Sequence, residues 1–225
     1  MHPLDNVIWQ ALSTRDQQFS VGSDGARRFH PEIGPLAGFA TPGNKGYAAL
    51  GDVLATGEVV GLFLPEPFEP RPGWERLGGG NLLQMVHEGT IDAQPSLYEL
   101  QTLGDNDSPE MLELTALTKP GPFFKRTHRL GSYFGIRSEG KLVAMAGERL
   151  KVHGYTEVSA VCTHPDHLGK GYARVLMTEV MRGIRERGET PFLHTIKENT
   201  RAIELYKRLG FKERFLGYYV IIRKQ

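Results

Sequence analysis

A strand that runs through two glycines into a helix sets the terms for this chain. It lies in residues 157–173, EVSAVCTHPDHLGKGYA. Alternation in the first part predicts a strand with Glu157, Ser159 and Val161 on one face and Val158, Ala160 and Cys162 on the other. Pro165 ends it, because proline cannot donate to a ladder. From Ala173 the apolar positions fall at Ala173, Leu176, Met177, Val180 and Ile184, the spacing of an amphipathic helix that Gly188 closes. Gly169 and Gly171 therefore sit at a helix N-terminus, where backbone N–H groups lack partners and the dipole favours negative charge. Without a Cβ, the backbone there can approach a phosphate closely. The form is an anion cradle. It is not a P-loop, since no Ser or Thr follows Lys170, and it lacks the third glycine or alanine spacing of a dinucleotide fingerprint.

Strands and helices alternate on both sides of this turn. Residues 96–103 read as a strand. Asp107 or Ser108 caps a helix with Pro109 at its first position, and Lys119-Pro120-Gly121-Pro122 stops it. A shorter helix is predicted across residues 123–130, then a hairpin of residues 133–137 and 141–152 around Ser138-Glu139-Gly140. Residues 191–196 form a further strand. Asn199 caps a short helix carrying Ala202, Ile203, Leu205, Tyr206 and Leu209, which Gly210 ends. Residues 1–94 differ. They are rich in turn signals, among them Gly78-Gly79-Gly80, and offer two short strands at 58–64 and 82–87 and a short helix at 48–55. The expected organisation is a supporting α/β segment, residues 1–94, packed on a main domain, residues 95–225.

Charge and cysteine content narrow the function. The 225 residues carry 27 Lys+Arg against 26 Asp+Glu, a net charge of +1, so no basic excess argues for nucleic acid or an anionic membrane. Cys162 is the single cysteine, which excludes a disulfide framework and a thiolate-rich zinc site. The spacing of Cys162, His164 and His167 is no familiar zinc pattern, and no metal is expected. The longest apolar runs, such as residues 59–64, are too short for a bilayer. Asp5 and Arg15 interrupt any signal-peptide run, so the expected location is cytoplasmic. Glu148 draws notice as an acid amid Ala144, Met145, Ala146 and Gly147.

The order strand, Gly-x-Gly, helix, strand, Asn199, helix with Tyr206, then Gly210-Phe211 resembles the GNAT superfamily of N-acetyltransferases. Within it, the C-terminal module is similar to the glycine N-acyltransferase-like branch. The resemblance covers residues 157–211 and extends back to about residue 96. It implies an α+β fold with a mixed, mostly antiparallel sheet, and direct transfer of an acetyl group from acetyl-CoA to a primary amine. The family's pyrophosphate loop, Gln/Arg-x-x-Gly-x-Gly/Ala, matches Leu168, Gly169, Lys170, Gly171, Tyr172 and Ala173. Leu168 departs from it by lacking a side-chain donor, which leaves the anion to backbone amides, Lys170 and Arg174. The strands at 157–163 and 191–196 are expected to splay and admit the pantetheine arm. Backbone groups of Val161 and Thr163 would pair with that arm, and the amide of Val161 or Cys162 would polarise the thioester carbonyl. Asn199 matches a cofactor contact and Tyr206 the acid for the departing thiolate. Glu157, fourteen positions before Gly171, matches the catalytic base of the histone-acetylating branch. Glu148 is its rival, and a water chain is the third choice. A small-molecule or peptide amine is the implied partner, with a homodimer left open. A longer acyl-CoA, or a non-catalytic acyl-CoA-binding module, remain the alternatives.

Overall fold

The computed structural model describes residues 2–91 and 96–225. In chain order the elements are α1 (Val7–Ser13), β1 (Ser20–Gly22), β2 (Ala26–Phe29), β3 (Ala37–Phe39), α2 (Asn44–Val53), β4 (Val59–Leu64), β5 (Trp74–His87) and β6 (Gln101–Thr102). They continue with α3 (Ser108–Thr118), β7 (Tyr133–Ser138), β8 (Lys141–Val152), β9 (Tyr155–Thr163), α4 (Tyr172–Glu186), β10 (Thr190–Ile196), α5 (Thr200–Arg208) and β11 (Phe211–Lys224). Strands β1–β3 form a small antiparallel sheet. The other eight form one sheet in the order β4-β11-β5-β10-β9-β8-β7-β6. All its pairings are antiparallel except β9 with β10. The fold is the expected α+β class.

The helices divide between the sheet's faces as their apolar stripes dictate. Leu176, Met177, Val180 and Ile184 of α4 pack with Ala144, Ala146, Val158 and Leu193. Each of the larger side chains, Leu, Met, Val or Ile, stabilises by about 1.5–3 kcal/mol on burial. On the opposite face Met111 and Leu114 of α3 pack with Tyr133, Met145 and Cys162. Beside them, Ile8 and Leu12 of α1 cover Leu150 and Phe192. No described helix is long and apolar enough to cross a membrane.

Several elements differ from the sequence reading. The strand expected at 96–103 reduces to two residues, and the helix at 123–130 to one 3-10 turn, Thr127–Leu130. The Gly78-Gly79-Gly80 run is not a turn. It lies inside β5, which pairs with β11 along its length. Gly79, at φ 135, sits so close to β11 that a Cβ would collide with the Tyr219 carbonyl. The expected boundary between residues 94 and 95 lies outside the described residues. The segment before it is not merely a supporting layer, because β4 and β5 are strands of the main sheet and β5 separates β10 from β11. Helix α1 and the β1–β3 sheet carry no clear periodic signal and were not anticipated.

Asp16, after α1, ties this segment to β8. It is 1% exposed and accepts the Lys151 N–H at 2.9 Å. Burial pushes its carboxyl up to about 7, against that hydrogen bond. The folded state therefore holds a proton the unfolded chain releases near pH 4, and stability falls as pH rises between about 4 and 7. Asp16→Asn should be more stable than the parent by about 2–4 kcal/mol at pH 8, and by far less at pH 4.5. Urea unfolding at both pH values checks this. A pH-independent difference would sink it.

Candidate active site

The β9–α4 connection is built around unpaired amides. After β9, a 3-10 turn spans Pro165–His167, with His164 Nδ1 accepting the Asp166 N–H at 3.2 Å. Gly169 and Gly171 then take φ +81 and +80, and the Cβ position of each faces open space. The first helical bond of α4 runs from the Val175 N–H to the Gly171 carbonyl. Among the described residues, the amides of Gly169, Lys170, Gly171, Tyr172, Ala173 and Arg174 find no acceptor. Lys170 and Arg174 are exposed beside them, as is Leu168. Six unpaired donors, two cations and a helix N-terminus suit a diphosphate without the missing side chain at position 168. Tyr98, which no sequence signal marked, braces the cradle. Its hydroxyl donates to the Lys170 carbonyl at 2.8 Å, and its ring meets the buried Tyr172 edge-on at 4.7 Å.

Next to the cradle the sheet opens. Strands β9 and β10 pair only between Tyr155–Glu157 and Thr190–Phe192. Beyond this, β10 follows β5 to Ile196 and β9 follows β8 to Thr163. The β10-facing edge of residues 158–163 has no strand partner. Within it Ala160 takes φ +52, and the register with β8 slips between Ser159 and Cys162. This bulge corrects the predicted alternation. Val158 and Val161 both pack on the α4 side, while Ala160 and Cys162 pack on the α3 side. The extra residue flips the parity of every side chain after it. Burial pushes the Cys162 thiol up to about 11, so it behaves as a small apolar group. Thr163 is half-buried at the strand end.

Asn199 caps α5, accepting the Ala202 N–H at 3.3 Å, and is exposed at the mouth of the gap. Tyr206 is half-buried on α5, with its ring 6.2 Å from that of Phe211. Its hydroxyl has no protein partner among the described residues. Burial pushes it up to about 12, so the phenol keeps its proton at neutral pH.

The two candidate bases are placed differently from the expectation. Glu157 is 0% exposed and fully engaged. Arg149 donates to it through Nε and Nη2, both at 2.8 Å, and His194 Nδ1 lies 2.7 Å from Oε1. Burial pushes the carboxyl up, but the Arg149 charge and these bonds outweigh it and hold it at about 2. A group so held is a poor proton acceptor at neutral pH. Glu148 pairs in register with Val158, so it faces α4, on the other side of the sheet from Glu157. There Arg187 Nη2 reaches Oε1 at 2.7 Å and Lys151 Nζ lies 3.0 Å from Oε2. Neither carboxylate is free.

The Glu157 contact continues as a row across the sheet. Gln84 Nε2 donates to the Leu4 carbonyl at 3.1 Å and lies 3.0 Å from His194 Nε2, while its Oε1 accepts from Arg214 Nη1 at 2.7 Å. Arg214 also pairs with Asp5. With the Gln84 oxygen taken by Arg214, its amide nitrogen donates to His194, which then donates through Nδ1 to Glu157. The row assigns a neutral imidazole with its proton on Nδ1. Arg149, Gln84 and Arg214 escaped the sequence reading because their partners meet them only across strands. The arginines along α4 and just after it also divide. Arg182 bridges Glu179 and Glu186, whereas Arg185 donates to the His87 carbonyl at 2.9 Å and Arg187 holds Glu148.

The FR47-like protein family matches residues 133–220. A crystal structure of a GNAT-family acetyltransferase from Novosphingobium aromaticivorans is 36% identical and superposes with a TM-score of 0.93 over 100% of both chains. A GCN5-related N-acetyltransferase from Kribbella flavida, 18% identical, shares the fold at a TM-score of 0.59 over 97% of this chain and 96% of its own. No curated protein matches. Full-length likeness at this identity takes in the N-terminal strands as well as the cradle, and the chain belongs to the GNAT family of acetyltransferases.

Proposed function

We propose that the protein is an N-acetyltransferase that moves an acetyl group from acetyl-CoA to a primary amine by direct attack. The observation that carries this reading is the cradle of six unpaired amides beside the gap between β9 and β10. The diphosphate of CoA lies on residues 169–174, with Lys170 and Arg174 adding charge and Leu168 contributing only its backbone. The pantetheine arm runs along the unpaired edge of β9, between Val161 and Thr163, past Asn199. The amide of Val161 or Cys162 draws the thioester carbonyl and stabilises the oxyanion that forms when the amine nitrogen bonds to carbon. As the intermediate collapses, the C–S bond breaks and Tyr206 gives its proton to the leaving sulfur. The amine's proton passes to water in the gap, since Glu157 and Glu148 are both held by cations.

Tyr206→Phe should lower kcat by about 10–100-fold while the CoA Kd stays within about twofold. Thiol-release kinetics and calorimetry read the two effects separately. Lost affinity with normal turnover would contradict the assignment. The engaged state of both carboxylates also favours a second reading, an acyl-CoA-binding module that performs no transfer. Titration with CoA alongside thiol release over a panel of primary amines separates them. Binding with turnover supports the enzyme, binding without turnover the module, and no binding rejects both.

A further inference from the structure

The sheet face that carries α1 holds a cavity of about 320 Å³, counted to its open mouth. Small-ligand sites begin at about that size. Phe63, Leu82 and Phe215 wall it, and Asp5, Gln84 and His194 are its polar members. Gly217 leaves the floor bare, and the Phe215 ring lies over it, 2.8 Å from where a Cβ would stand. Register ties this cavity to the gap between β9 and β10. On β5, Gln84 faces His194 of β10 and Phe215 of β11, while Leu82 faces Ile196 and Gly217. The His194 ring bonds to Glu157, a member of the last pair that joins β9 to β10. Since β10 borders the gap, the cavity ends within about 5 Å of it, one strand spacing. Ile196, two residues beyond His194 and on the same face, is 53% exposed, and Phe215 is 38% exposed. Neighbouring exposed apolar side chains suit a ligand groove. Charge narrows the occupant. Arg214 and the His2 N–H take the Asp5 carboxylate. Arg214, the Leu4 carbonyl and His194 take the Gln84 amide, and Glu157 takes the other side of His194. Among the described residues that line the cavity, none offers an unpaired charge to a second ammonium or to a carboxylate.

We propose that the acceptor is a primary amine with an uncharged, apolar tail, one ring or a short alkyl chain. The tail lies among Phe63, Leu82 and Phe215, and the nitrogen reaches past His194 to the thioester. This assignment rests on the acetyltransferase reading and adds the acceptor's chemical class and the face from which it arrives. Tyr206 packs on the α4 side, so the amine and the leaving thiolate stand on opposite faces of the sheet. The nitrogen–carbon bond forms and the carbon–sulfur bond breaks. The sulfur takes the Tyr206 proton, and the amine's surplus proton goes to water.

Thiol release from acetyl-CoA with phenethylamine, hexylamine, ethanolamine and spermidine tests it. Phenethylamine and ethanolamine share a two-carbon amine of similar basicity and differ in the tail. The parent's kcat/KM should be about 10–100-fold higher for phenethylamine and hexylamine than for ethanolamine and spermidine, the worth of one buried apolar group. Phe215→Ala should cut the ratio of phenethylamine to ethanolamine by about tenfold, mainly through the phenethylamine KM, and Phe215→Leu should restore most of it. The CoA Kd should stay within about twofold in both. Circular dichroism checks that the variants fold, and the parent's ranking of the four amines decides the matter without them. A parent that acetylates ethanolamine or spermidine as well as phenethylamine overturns the proposal and leaves the acetyltransferase standing, as does an unchanged ratio in folded Phe215→Ala. A parent that binds CoA but acetylates none of the four removes the acetyltransferase reading itself, and this assignment with it.

Discussion

Arg149→Ala is expected to cost about 3–5 kcal/mol of folding stability, the penalty for leaving a buried charge without its partner. Glu157 is wholly enclosed and depends on the two Arg149 bonds. His194 alone cannot replace them, because as a neutral donor it brings no charge. The pH dependence follows from the depressed carboxyl. A group held at about 2, against a usual 4.5, contributes stability that is fully present above about pH 4.5 and is lost as pH falls through 2. The difference between parent and variant should therefore be widest above pH 5 and shrink towards pH 2–3. Replacing both residues, Arg149→Met with Glu157→Leu, should cost less than Arg149→Ala alone, since no charge is then stranded. Urea unfolding across this range is the measurement. A change below about 1 kcal/mol at pH 7 would mean that the pair is solvated and that Glu157 is available as a base after all.

Gly171→Trp should reduce CoA affinity by about 100-fold or more while leaving the protein folded. The Cβ direction at Gly171 opens onto clear space, so a large side chain meets no protein atom as it leaves the backbone. It would instead fill the ground over the cradle amides. Displacing two charge-assisted hydrogen bonds of about 1.5 kcal/mol each accounts for a loss of that size. The φ of +80 adds local strain of about 1–2 kcal/mol for a non-glycine residue, a cost to the loop that the rest of the fold can bear. Calorimetry with CoA reads the affinity, and circular dichroism checks the fold. A folded variant that binds CoA like the parent would place the diphosphate elsewhere.

Much of the C-terminal half was legible because its signals are local. The glycines at 169 and 171, the Asn199 cap and the stripes of α4 and α5 are each decided within a few residues. What was missed depends on partners distant in the chain. Nothing near Glu157 announces Arg149 across the neighbouring strand, and Gln84 lies 110 positions from His194. Glu148 stood out as an acid among apolar neighbours and Glu157 by its distance from Gly171, but whether such an acid is free or paired is settled by the facing strand. The bulge at Ala160 is likewise silent, since alanine gives no hint of a left-handed conformation. Gly78-Gly79-Gly80 misled for the opposite reason. Glycine commonly marks a turn, yet here it permits close approach of β11.

The place of β5 bears on how the molecule is made. Both neighbours of this strand, β10 and β11, lie beyond residue 189, and β4 is likewise flanked in the large sheet by β11. During synthesis β5 must therefore wait, with both of its edges bare, until the residues of β10 and β11 have left the ribosome. Such edges invite pairing with other chains. A C-terminal fragment starting at residue 96 would lack the plank between β10 and β11, so shortened versions of this chain should not assemble around the cradle alone.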